Sequence, residues 1–149
     1  MSTSRTVLRV AAGCSFLIAA FHLVIIPVGA PAYRYFGAPE EMALLDETGS
    51  WRPGAIMLFL SGIFVFFGLL ALAGSVYVSL PFRAVVRPGL TLVSGLYLLR
   101  GLALVPEAYL LLSGSTRVAP RALVFSLVSL LVGSVHAWGT YRRWAHLGQ

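Results

Sequence analysis

Four apolar runs, each about as long as a helix needs to be to cross a bilayer, dominate this 149-residue chain. They cover Val10 to about Val28, Pro53 to about Val78, Pro88 to about Leu112 and Ala122 to Tyr141. A backbone in hydrocarbon has to satisfy its own N–H and C=O groups, and successive runs of this length do so as α-helices. The expected fold is therefore all-α: an integral membrane four-helix bundle forming a single domain over residues 1–149. Composition agrees, since 11% of the residues are charged where soluble chains carry about 25%. Four spans and their connections leave no room for a separate soluble catalytic module.

The first run has the outline of a signal peptide: Arg5 and Arg9 precede it, and Val28-Gly29-Ala30 resembles a cleavage site. The run is longer than a usual signal core, and Pro31 would follow the cut, so a retained helix is expected. All eleven basic residues are arginine. They mostly flank the apolar runs, which points to topology and headgroups rather than nucleic acid. With the N-terminus inside, six arginines (5, 9, 83, 87, 142 and 143) lie in the cytoplasm and four (34, 52, 117 and 121) outside. That count favours cytoplasmic N- and C-termini in a bacterial inner membrane.

The first connection, Pro31 to Arg52, then faces outward and holds four of the five acidic residues: Glu40, Glu41, Asp46 and Glu47. Within APEEMALLDETGSW a helix can begin at Pro39, is favoured by two acids in its first turn, and can end at Gly49. A short amphipathic helix at the outer surface is expected, either as a packed connection or as a lid. Tyr33, Tyr35, Phe36 and Trp51 suggest an interfacial aromatic belt. Small residues recur every four positions at Ala11, Ser15 and Ala19, and again at Ser129, Gly133 and Ala137. Such stripes let helices approach closely in lipid, within the chain, in a homo-oligomer or against another membrane protein. A weak internal echo relates SGIFVFFGLLAL to SGLYLLRGLAL, with Arg100 in place of Phe67.

Polar residues inside the spans carry whatever chemistry is available. His22 lies thirteen residues beyond Arg9, and Arg100 thirteen beyond Arg87, each about 20 Å into a core of about 30 Å. Counting inward on the descending helices reaches Ser61 and then Ser129 or Ser126 at the same depth. The expected site is a polar layer of His22, Ser61, Arg100, Glu107 and a fourth-span serine, of which Ser129 heads the choice. Helical side chains tilt toward the N-terminus, so Arg100 should lean away from the nearer surface and pair with Glu107, two turns further along. Pro106 frees the Leu102 carbonyl and can kink this helix. His136 falls at another depth, so no metal centre is expected with His22. Cys14 is the single cysteine and reads as a small core residue. No zinc-protease, Walker or nucleophile-elbow motif occurs, and no cofactor is expected.

The order of elements, in which a first helix runs into the aromatic outer segment FHLVIIPVGAPAYRYFGAPEE and three closely spaced helices follow, resembles small bacterial DoxX-like membrane proteins. The resemblance covers most of the chain as architecture and transfers no functional residue. It implies a place among proteins some of which are linked to membrane oxidoreductase complexes, although one cysteine gives this chain no redox pair. Three roles stay open at this level. The first is a non-catalytic accessory, assembly or interaction subunit of a membrane complex. The second is a binder or transporter of a small anionic or amphipathic molecule in an outer polar cavity around Arg100 and His22. The third is a lipid- or quinone-linked enzyme.

Overall fold

The computed structural model describes residues 2–76, 80–116 and 118–147, with side chains for all of these except 2–3, 80–83 and 146–147. Arg117, the side chain of Arg83 and the end of the second expected span at 77–78 therefore lie outside the described residues. The described residues form, in order, α1 (Ser2–Val28), α2 (Ala30–Phe36), α3 (Glu40–Glu47), α4 (Arg52–Ser75), α5 (Leu80–Leu102), α6 (Leu104–Leu112) and α7 (Arg121–Leu147). Among the described residues there is no strand. The all-α class is as expected, and four segments are long and apolar enough to cross a membrane: Ser4–Val28, Arg52–Ser75, Ala84–Leu112 and Arg121–Ala145.

One detail differs from expectation, and the kink expected at Pro106 takes the form of a break between two helices. The connection between the first two spans holds two helices rather than one, because Pro31 can start a helix at Ala30 and Gly37 stops it in the left-handed region. The third span is divided. Pro106 cannot donate to the Leu102 carbonyl, α5 ends there, and Ala103 bonds back only three residues, to Arg100. The chain re-enters a helix at once, with the Glu107 N–H bonded to the Ala103 carbonyl at 3.0 Å.

The chain packs as two compact units. The first comprises Met1–Cys14 and Phe67–Gln149. Here α5 and α7 run antiparallel with their backbones nearly touching. A Cβ at Gly101 would lie 2.6 Å from Leu130 Cα, and one at Gly133 would lie 2.8 Å from the Leu98 nitrogen. Each helix thus sets a glycine against a leucine of the other, the close approach that makes helix packing favourable where lipid is as apolar as leucine. Leu8 of α1 packs on Gly74 and Gly139. His136 is fully buried, hydrogen-bonds the Ala11 backbone and stacks on Tyr97 at 5.4 Å.

The second unit, Ser15–Phe66, has a core of Ile25, Ala30, Ala32, Tyr33, Ala43 and Met57. Tyr33, grouped by sequence with the aromatic belt, is instead 1% exposed, whereas Trp51 is 77% exposed. The turn from α1 into α2 rests on Gly29, whose φ of +70° suits glycine alone and whose missing side chain leaves room for Asp46.

The glycine contacts give a direct test. Gly101→Ala should destabilise by about 1–3 kcal/mol, because backbone rather than a flexible side chain must move. Gly95→Ala, with nothing within 4 Å of the new methyl, should be neutral or stabilise by about 0.4–1 kcal/mol. Unfolding of both variants in one detergent checks the contrast.

Candidate functional site

A three-residue clasp forms inside the first unit. Arg100, near the end of α5, donates from Nη1 to Ser126 Oγ at 2.5 Å. The same hydroxyl donates to Glu107 Oε2 on α6 at 2.5 Å. Arg100 Nη1 also lies 3.5 Å from Glu107 Oε1. One serine on α7 therefore joins a cation and an anion on the two halves of the divided span. Both hydrogen bonds involve a charged group and gain strength from it.

Helix register explains how the groups meet. The contacts of Leu98 with Gly133 and of Gly101 with Leu130 place Ser126 opposite residue 105, beyond the end of α5. Arg100 must therefore extend along α5 toward α6. This reverses the backward lean expected from helix geometry, and the partner that causes the reversal is the Ser126–Glu107 pair. Ser126 is fully buried. The Glu107 side chain is 17% exposed, and that of Arg100 is 47% exposed. The clasp holds one guanidinium nitrogen and leaves the remaining edge of Arg100 open, with the exposed Leu99, Leu102 and Val105 around it in sequence.

Of the two serines left open by depth counting, Ser126 is the one in the clasp. Ser129 donates to the Phe125 carbonyl of its own helix at 2.9 Å. His22 and Ser61 belong to the second unit. His22 Nδ1 lies 2.8 Å from the Ile18 carbonyl, and its ring sits 4.9 Å from Phe64. Ser61 donates to the Ala19 carbonyl at 3.0 Å.

The acidic residues of α3 are engaged with α2. Arg34 bridges Glu40 at 2.7 Å and Glu47 at 2.5 Å. The Ala30 N–H donates to Asp46 Oδ2 at 2.8 Å, supplying one of the acceptors the start of α2 needs. Glu41 is exposed. The hydrogen bond and charge of Arg34 hold the Glu47 carboxyl below its ordinary value. Burial, and then the Asp46 charge, push the Tyr33 hydroxyl up.

Sequence reasoning missed Arg143, which is 4% exposed. It donates from both terminal nitrogens, each at 3.3 Å, to the Ser75 and Val76 carbonyls at the end of α4. A signal existed: Gly133, His136, Thr140 and Arg143 recur at helical spacing, and all four are buried. No three His, Cys, Asp or Glu side chains converge on a common point among the described residues.

Comparison with family models, curated proteins and solved structures finds no match. The expected resemblance to DoxX-like proteins finds no support in these comparisons. The four apolar helices are consistent with a multi-pass integral membrane protein.

Two expectations follow. Ser126→Ala leaves Arg100 and Glu107 without their bridge and should cost about 1–3 kcal/mol in detergent unfolding. Ser129→Ala, which loses only a bond to its own helix, should cost less. The second concerns pH. Because Glu47 is lowered in the folded chain, its contribution is fully present above the ordinary carboxylate value of 4.5 and is lost as pH falls through the lower folded value. Amide protection factors across α2 and α3 should fall in that acid range, and Glu47→Gln should reduce this dependence, with Glu40 and Asp46 keeping the remainder.

Proposed function

We propose that this chain is a non-enzymatic multi-pass membrane protein that binds the acidic group of an amphipathic molecule at the open edge of Arg100. The observation that carries the reading is the half-exposed guanidinium on a membrane-spanning segment, held by Ser126 and Glu107 through a single nitrogen. A charge in hydrocarbon calls for a polar neighbour. The clasp fixes the orientation of the guanidinium, so a phosphate or carboxylate meets a prepared fork. Exposed leucines and valines beside it suit an acyl chain. The proposal places the protein in a bacterial inner membrane with both termini cytoplasmic, on the distribution of its arginines.

An accessory role in a larger complex has less support. Its motives are the small-residue stripes and the lack of catalytic groups, and packing within the chain occupies much of the stripes. Ala11 and Ser15 are fully buried, Ala19 is 3% exposed, and Gly133 is closed against Leu98. Ser129 and Ala137 are half-buried.

Titration of the purified chain in a neutral maltoside detergent with dodecyl phosphate tests the reading. Wild type should bind saturably, and dodecanol should not compete. Arg100→Gln should weaken binding at least about tenfold, the loss expected for one charged hydrogen bond, while far-UV circular dichroism is unchanged. Equal binding by wild type and a folded Arg100→Gln would remove the basis of the proposal.

A further inference from the structure

The far end of the first unit carries a second arrangement of charge, independent of the clasp. The start of α1, the start of α5 and the ends of α4 and α7 meet there, through Leu8 on Gly74 and Gly139 and through Val86 and Leu90 on Gly74. Arg87 of α5 sits over the Trp144 ring of α7, with Cζ 3.7 Å from the centroid. Arg142 stands 5.5 Å over Trp138. Arg9 is exposed, as are Trp138, Tyr141 and Trp144. Arg143 lies buried beneath them on the α4 carbonyls.

Among the described residues, the first unit holds a single Asp or Glu side chain, that of Glu107. The five acidic residues of the chain are Glu40, Glu41, Asp46, Glu47 and Glu107, and Glu107 is engaged in the clasp. Arg9, Arg87 and Arg142 thus share one region of the unit, and the one Glu side chain of that unit is held at the clasp. Stacking on an indole face leaves the in-plane N–H groups of a guanidinium free and fixes the direction in which they point. Tryptophan and tyrosine favour the headgroup level of a bilayer. Cationic, aromatic and apolar surface converge here.

We infer that this end of the unit is a binding site for anionic phospholipid, with the stacked Arg87–Trp144 pair receiving the headgroup phosphate and Arg142 and Arg9 adding attraction. The indole faces and the apolar flanks of α5 and α7 accompany the glycerol and the upper acyl chains. Charge complementarity selects this occupant: the surface is basic throughout and lies at the ends of membrane-spanning helices.

The test is native mass spectrometry of the full chain released from nanodiscs of equal phosphatidylglycerol and phosphatidylcholine. Wild type should retain phosphatidylglycerol preferentially, and 0.5 M salt should reduce the preference. Arg87→Gln and Arg142→Gln should each lower it about fivefold, the factor expected for one arginine near an anionic surface. Trp144→Leu keeps every charge but removes the stacking face, and should lower it as well. Arg87→Lys should fall between wild type and Arg87→Gln, while Arg121→Gln, at the opposite end of α7, should change nothing. Circular dichroism establishes that each variant is folded. The inference is overturned if wild type shows no preference, or if folded Arg87 and Trp144 variants keep it. An equal response to Arg121→Gln would mean diffuse charge rather than a site. A response to Arg100→Gln alone would assign the lipid to the clasp.

Discussion

A guanidinium on a membrane-spanning helix has to be answered by neighbouring groups, and in this protein that requirement organises the first unit. Arg100 is met by Ser126 and Glu107, and each of those depends on a separate feature of the fold. Ser126 is within reach because Gly101 and Gly133 let α5 and α7 run with their backbones nearly in contact. Glu107 stands two turns beyond the arginine, on the first turn of α6, where Ser126 also reaches it. Local backbone chemistry, helix packing and charge neutralisation are therefore one arrangement. A bulkier residue at either glycine would disturb the clasp as well as the packing.

Most other hydroxyls in the spans act locally. Thr91, Ser94, Ser129, Ser134 and Thr140 each donate to the carbonyl four residues earlier, the usual resting place for such groups in helices. Ser61 and Ser126 reach other helices, which makes them informative about packing. In the second unit, electrostatics act outside the spans. Arg34 ties α2 to both ends of α3, and Asp46 closes the start of α2. Three of the acids of that connection, Glu40, Asp46 and Glu47, thus hold α2 and α3 together.

The spans were legible because length and apolarity alone suffice where water is absent. The Arg100–Glu107 pairing was legible from seven-residue spacing, since two helical turns bring side chains together. The direction of Arg100 was not, because it depends on the register of α7 against α5, which is set by glycine contacts between distant segments. The same register decides between Ser126 and Ser129, whose depths differ by less than one turn. Helix α2 was hidden behind its aromatic residues, which suggested a membrane interface, although Tyr33 is a core side chain. Arg143 looked like a flanking charge because its partners are backbone carbonyls 67 and 68 residues away, and no side-chain pattern announces those.

The central claim is that Arg100 and Ser126 are energetically coupled rather than merely adjacent. A double-mutant cycle with Arg100→Leu and Ser126→Ala, followed by equilibrium unfolding in one detergent, measures this directly. The account predicts a coupling of about 1.5–3 kcal/mol, typical of a hydrogen bond to a charged group. Additivity within about 0.3–0.5 kcal/mol would contradict it and leave the clasp a contact without consequence.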